Sequence, residues 1–233
     1  MSDVLTMKAI AKISGPFPGK FGIPRQSGRV PQIRSRIVFE PEFRNGDALR
    51  GLEGFSHLWI LWKFLEISDG SWSPTVRPPR LGGNRRVGVF ATRSPYRPNP
   101  IGLSCVRIGK IVLSSPTGPY IEVFGADLMD GTPIYDIKPY LPSADCIPQA
   151  VGGFADPVSD YSLDVSDPKE LLRCLPEETA SLIHGVLAED PRPSYQRDPE
   201  RIYSFECCGV RVSFRVEENT AILCDTTVLN EKG

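Results

Sequence analysis

Apolar runs separated by proline- and glycine-rich stretches fill most of the first 140 positions. Met7 to Ile13 alternates loosely and reads as a strand, and Arg34 to Phe39 as a second. Between them, Ser14 to Gly22 is a Pro/Gly-rich loop leading into Ile23-Pro24-Arg25-Gln26. Phe55 to Phe64 (FSHLWILWKF) is apolar at nearly every position. Such a run suits a strand buried on both faces or a short buried helix, and its aromatic and β-branched content favours the strand. Ser71 to Arg86 holds Pro74, Pro78, Pro79, Gly82 and Gly83, which excludes regular structure. Val87 to Thr92 resumes as a strand, Ser94 to Pro100 breaks it, and Ile101 to Leu113 forms a long strand. After the turn at Ser114 to Gly118, Tyr120 to Ala126 pairs back as a hairpin partner. Asp130-Gly131 makes a tight turn before a short strand at Ile134 to Ile137.

From Pro142 to about Asp167 the composition shifts to Pro, Asp, Ser and Gly, which marks a domain boundary. One amphipathic helix follows, Pro176 to Ala188. Pro176 suits its first position, Glu177 and Glu178 suit its N-terminal dipole, and Leu182, Ile183, Val186 and Leu187 form its apolar stripe. Asp190-Pro191-Arg192-Pro193 stops it. Ile202 to Cys207 and Val210 to Val216 form a hairpin turning near Gly209, and Ala221 to Val228 adds a last strand. The pattern predicts a mainly β protein: a β-barrel or sandwich over residues 1–145, then a small α+β domain over residues 146–233. No internal repeat is visible.

The chain has 233 residues, 40% hydrophobic and 24% charged, which places it among soluble globular proteins. No apolar run approaches the roughly 20 residues that span a bilayer, and the N-terminus lacks a signal-peptide core, so a cytoplasmic location is expected. The six cysteines form no C-x-x-C pair and there are only two histidines, which speaks for free thiols and against a zinc site.

Charge changes the picture more by its distribution than by its sum. The formal net charge is −1, yet residues 71–100 hold six arginines (77, 80, 85, 86, 93 and 97) and no Asp, Glu or Lys. Residues 151–200 hold eleven acids against four bases. One region is built to meet an anion, because arginine binds phosphate or carboxylate bidentately and stacks on bases. Within it, the prolines of Ser94 to Pro100 pre-set the backbone and lower the entropy lost on meeting a ligand. Arg93, just past a buried strand, is a candidate ligand residue, and so is Asp127 at a strand end. Asp130 reads as a turn residue, His57 as a hydrogen-bonded core histidine and His184 as structural. Trp59, Trp62 and Trp72 read as core, with Trp72 also placed to stack beside the arginines. There is no G-x-G-x-x-G, no P-loop and no G-x-S-x-G. The residues alone lead to a β protein with an anion-binding face.

Four blocks carry a resemblance: FSHLWILW, WSPTVRPPRLGGNRRVGVFATRSPYRPNPIGLS, DLMDGTPIYDIKPYLP and LAEDPRPSY. Over essentially its whole length the chain resembles the TrmO/TsaA-like tRNA methyltransferases. The resemblance implies an antiparallel β-barrel methyltransferase domain outside the Rossmann class and a small C-terminal α+β domain. It implies methylation of N6 of N6-threonylcarbamoyladenosine at position 37 of tRNA, with S-adenosylmethionine as cofactor, no metal, and a homodimer. It puts the cofactor against Pro24, Arg25, Gln26, Leu65, Glu66, Arg93, Leu103, Phe124, Gly125, Ala126 and Asp127. Leu65 and Glu66 stand where some relatives carry His and Gln. Arg93 or Arg25 would pair the cofactor's carboxylate, and Asp127 would accept from its amino group or hydroxyls. Arg77, Arg80, Arg85, Arg86 and Arg97 are left to hold the anticodon stem-loop. No residue stands out as a catalytic base. A non-catalytic RNA- or nucleotide-binding module explains the arginines equally well, and a hydrolase of anionic esters lacks an evident nucleophile–histidine pair.

Overall fold

The computed structural model describes residues 4–65, 72–78, 85–158, 161–193, 196 and 198–229. Among them, six strands close into an antiparallel barrel: β1 (Ala11–Ser14), β2 (Arg34–Phe39), β3 (His57–Lys63), β6 (Ile101–Val112), β7 (Tyr120–Phe124) and β8 (Pro133–Pro139). Their order around the wall is β1-β2-β7-β6-β3-β8, and β8 returns to β1 through Ala11 opposite Ile134. β4 (Thr75–Val76) and β5 (Val87–Gly88) make a two-stranded ribbon apart from the barrel.

Alternation decides which side chains fill the barrel, because successive strand residues point to opposite faces. In β3, Leu58, Ile60 and Trp62 are buried while His57, Trp59, Leu61 and Lys63 are partly exposed. The near-continuous apolar run is thus a wall strand with one inner face, and its outer face is half-covered. With Ile13, Ile37, Val106, Ile121, Val123 and Ile134 these inner residues form the barrel core. Each such side chain contributes about 1.5–3 kcal/mol on burial. His57 is not in that core: it faces outward, with Nδ1 2.9 Å from Ser56 Oγ and its ring against Tyr140. Trp72 is 51% exposed and is not core either.

The strand expected over Val87 to Thr92 stops at Gly88. Its partner β4 is bracketed by Pro74 and Pro78, which cannot extend a ladder. The chain turns instead into a single 3-10 turn, Val89–Ala91, with Val89 buried. The same pairing puts a short strand, β4, inside the stretch read as wholly irregular.

After the barrel come a one-turn helix α1 (Pro142–Asp145), β9 (Asp164–Ser166) and α2 (Glu177–Ala188). Pro176 caps α2 from outside its first turn instead of occupying it. β10 (Tyr203–Cys207), β11 (Val210–Glu217) and β12 (Thr220–Val228) complete a sheet of order β10-β11-β12-β9, in which β9 runs parallel to β12. Leu182, Ile183, Val186 and Leu187 of α2 pack against Phe205, Val212 and Phe214 of this sheet. The second core also takes in Phe17, Val30 and Ile33 from the connection between β1 and β2. Those residues leave the barrel, pack into the C-terminal core and return, so the connection ties the two parts together.

Candidate functional site

The returning half of that connection, Pro24 to Gly28, lies across the end of β7. Gly28 N donates to Gly125 O at 2.8 Å, and Gly125 N donates to Ile33 O at 2.8 Å. Gly125 has φ +76°, and a Cβ there would sit 3.1 Å from Gly28 Cα, so only glycine fits between the two backbones. Ser27 Oγ accepts from Cys105 N at 3.1 Å, which fixes the same segment to β6.

This docking brings distant residues together. Arg93 Nη1 donates to Gln26 Oε1 at 2.6 Å. Asp127, two residues past Gly125, accepts from Ser104 Oγ at 2.6 Å, and Ser104 Oγ accepts in turn from Trp62 Nε1 at 2.9 Å. Trp62 reaches that position because residue 102 is glycine: a Cβ there would lie 2.2 Å from the indole. Burial raises the Asp127 pKa above the usual carboxylate range, against the opposing pull of the Ser104 hydrogen bond, the Arg93 charge and the Ser27 main chain. The result is a half-buried acid beside an exposed guanidinium. Leu103 and Leu65 are 49% and 45% exposed.

Arg25 points the other way. Its Nη2 donates to the carbonyls of Arg192 at 2.8 Å and Asp190 at 3.5 Å. Those carbonyls are held in place by a bidentate pair, Arg192 Nε and Nη2 to Asp190 Oδ1 and Oδ2 at 2.8 and 2.9 Å, and Tyr161 OH donates to Asp190 Oδ2. Both side chains of the pair are largely buried. The turn that ends α2 thus anchors the segment whose next residue, Gln26, meets Arg93.

The structure therefore assembles Pro24 to Gln26, Arg93 and Phe124 to Asp127; Leu103 neighbours Ser104 on β6 but faces the outer side, and Leu65 lies just past the end of β3. Glu66 and Arg80 lie outside the described residues. Arg77, Arg85 and Arg86 are exposed, with Arg86 Nη1 3.4 Å from Thr75 Oγ1. Arg97 is half-buried: its Nη1 donates to Thr92 O at 2.5 Å and Val89 O at 3.2 Å, which folds its own loop. Asp130 braces Gly15 N at 2.9 Å, as a turn aspartate does. Sequence reasoning missed Ser104 and Ser27; Trp62, read as core, is core and also donates to Ser104. Ser104 had a signal, a hydroxyl at an inward position of an alternating strand. Ser27 had none, because its role depends on how the loop returns.

Two surface hollows, one along Ser14–Pro16 and Arg34–Arg36 and one along Ala48–Leu52, contain none of these residues. The Asp127 wall is an open face. Among the described residues no three His, Cys, Asp or Glu side chains gather as a metal site.

Residues 12–146 match the model of the tRNA-methyltransferase O N-terminal domain, and residues 165–228 match that of its C-terminal domain. The chain belongs to the tRNA-methyltransferase O family. It is 44% identical over 218 residues to a tRNA (adenine(37)-N6)-methyltransferase of Escherichia coli strain K12, covering 90% of this chain and 92% of that protein. It is 41% identical over 219 residues to a putative S-adenosylmethionine-dependent methyltransferase of Pseudomonas aeruginosa, covering 89% and 88%. A crystal structure of TrmO from Pseudomonas aeruginosa superposes with a TM-score of 0.75 at 32% identity, over 96% of this chain and 99% of that one. The mainly β barrel expected of the family is thus present. The donor set of the open wall suits the family's cofactor: a guanidinium, a half-buried carboxylate and apolar side chains, for a ligand that is part zwitterion and part purine.

Proposed function

We propose that this chain methylates N6 of N6-threonylcarbamoyladenosine at position 37 of tRNA, with S-adenosylmethionine as donor. The observation that carries the reading is the meeting of Arg93, Gln26 and Asp127 past the end of β7 in a barrel of this family. S-adenosylmethionine supplies an electrophilic methyl on a sulfonium. In this reading Arg93 pairs the cofactor's carboxylate, Asp127 accepts from its amino group or hydroxyls, and Leu103 and Leu65 cover apolar surface. Arg25 serves as the anchor of the segment and leaves the carboxylate to Arg93. The acceptor nitrogen belongs to a urea and is weakly nucleophilic, so alignment carries much of the acceleration, up to ~7–11 kcal/mol. Position 37 lies in a single-stranded loop, so presenting it costs little.

Leu65, Phe90, Tyr96, Ile101 and Leu103 are exposed large apolar residues, of which Ile101 and Leu103 share the outer face of β6, and we assign the homodimer contact to them. Residues 1–145 are the cofactor-binding barrel and 146–233 the small domain, with the β1–β2 connection reaching across. Arg77, Arg85 and Arg86 face the anticodon stem-loop. No helix among the described residues is long and apolar enough to cross a membrane, and we place the reaction in the cytoplasm, with its substrate.

The test is incubation with S-adenosylmethionine and two tRNA pools lacking the methyl mark, one carrying and one lacking the threonylcarbamoyl group. Nucleoside mass spectrometry should find one added methyl on threonylcarbamoyladenosine in the first pool and none in the second. Methylation of both pools, or of neither, contradicts the proposal.

A further inference from the structure

The outer wall of the barrel carries cations and rings in register. Arg34 of β2 stands opposite Phe124 of β7, Phe124 opposite Arg107 of β6, and Arg107 opposite His57 of β3. Directly opposed side chains on one face of a sheet are about 4.5–5.5 Å apart at Cβ, so this is a continuous row. The Arg107 guanidinium lies 4.1 Å from the Phe124 ring centroid, and that of Arg36 lies 5.1 Å from Tyr120. His57 closes the row against Tyr140.

The charge on this wall is not internally balanced. Arg34 is bound by Glu122 at 2.7–2.8 Å and feels Glu178 of α2 as well. Glu122 is itself 8% exposed, so its charge is turned to Arg34. Arg36, Arg107 and Lys110 are exposed and have no carboxylate partner among the described residues. A guanidinium resting on a ring keeps its outer face and its N–H edge open for a base or a phosphate. Residues 151–200 are acidic, with eleven acids against four bases, and the C-terminal part has a single such pair among the described residues, Arg201 over Tyr203, against the row of cations on the barrel.

We infer that Arg36 and Arg107, resting on Tyr120 and Phe124, with the exposed Lys110 further along β6, form a second RNA contact, separate from the arginine loop. The contact takes the backbone and a base of the single strand next to the nucleotide being methylated. Phe124 gives the position: it belongs both to this row and to the cofactor stretch ending at Asp127. Leu103, which the proposed cofactor contact also uses, and Arg107 share the outer face of β6 four residues apart, about 13 Å. The inference rests on tRNA being the substrate.

The test is the double variant Arg36→Ala/Arg107→Ala, compared with the wild type in four readouts: tRNA binding against salt, KM for tRNA, cofactor calorimetry and sedimentation. Two lost phosphate contacts flatten the log–log salt slope by about 1.4, and KM for tRNA rises roughly tenfold. Cofactor affinity and subunit assembly stay unchanged. An unchanged slope and KM overturn the inference. A loss of subunit assembly also overturns it, because the face is then a contact between copies of the chain. The slope is read on binding, not turnover. If the wild type binds tRNA with a slope that the variant flattens but never methylates it, the proposed reaction fails and the RNA contact stands.

Discussion

Two sets of arginines divide this molecule. Those of the 77–97 loop are conspicuous in sequence, crowded and without counter-charge, and three of them, Arg77, Arg85 and Arg86, stand exposed. Arg25 and Arg192 are inconspicuous in sequence, yet each is locked by hydrogen bonds to carbonyls or a carboxylate. Crowded, unpaired charge marks a surface that waits for a partner. Paired, buried charge marks a joint, here the joint between the turn ending α2 and the segment facing Asp127. Arg93 and Arg97 sit in the crowded loop but behave unlike their neighbours, one joined to Gln26 and the other folded onto its own carbonyls. Local density of arginine therefore locates the loop, and only the fold tells which members are free.

The strongest way to break this comparison is Arg192→Ala. It leaves Asp190 largely buried without its partner, which costs about 3–5 kcal/mol. At 2–4 °C per kcal/mol for a chain of this size, the melting temperature should fall by roughly 6–20 °C. Cofactor affinity should fall with it even at temperatures where the variant is folded, since Arg25 loses its anchor. A variant as stable as the wild type would show that the pair is no joint.

Arg93→Ala comes next. Loss of one charged, fork-like contact should lower kcat/KM on the order of a hundredfold, with the melting temperature changed by less than about 2 °C. Arg93→Lys should not restore full activity, because an ammonium lacks the fork. Steady-state kinetics with thermal melts of both variants decide this.

Asp127 sharpens the comparison through pH. Its pKa is raised by burial, so the folded protein holds that proton more tightly than the unfolded chain does. Ionisation as pH rises through the unfolded value and up to the folded one therefore costs stability. Asp127→Asn removes that cost, and its melting temperature at neutral pH should equal or exceed that of the wild type. Cofactor affinity should drop in the variant. In the wild type it should fall with acidification at a pH above the ordinary aspartate value of about 3.9, a dependence the variant lacks. Calorimetry across pH checks both signs.

The smallest expected effect belongs to the free set. Arg85→Ala with Arg86→Ala should flatten the salt slope of tRNA binding by roughly one to one and a half units. The fold should be untouched, since the strongest contact either makes among the described residues is a 3.4 Å approach to Thr75.

Much of this fold was legible in the sequence. Apolar runs between Pro/Gly breaks placed β2, β3, β6 and β7 to within about two residues, with aromatic and β-branched content deciding β3, and Leu182, Ile183, Val186 and Leu187 announced the buried face of α2. Periodicity is a local property, which is why these elements showed. The β1–β2 connection has none: Pro and Gly set its path, and nothing local says that Phe17, Val30 and Ile33 cross to the C-terminal core. The resemblance grouped Pro24 to Gln26, Arg93 and Phe124 to Asp127, and these segments do lie together in the structure, but the resemblance did not show that Arg25 turns away from the group. That Arg25 turns to Asp190 and Arg192, more than 160 residues away, is a long-range pairing. His57 was misplaced for the opposite reason: apolar neighbours in sequence suggested a core, while the alternation of the wall turned it outward; Trp72 was placed in the core by residue type, yet stands exposed.

The division between locked and free arginines is tested most directly by one calorimetric series. Adenosylhomocysteine is titrated into the wild type, Arg93→Ala and Arg85→Ala/Arg86→Ala at a single pH and salt. Wild type and the Arg85/Arg86 variant should bind one ligand per subunit with equal affinity, and Arg93→Ala should bind at least tenfold more weakly. Full affinity in Arg93→Ala, with weakened binding in the Arg85/Arg86 variant, would place the cofactor in the loop and contradict the assignment of the Asp127 wall.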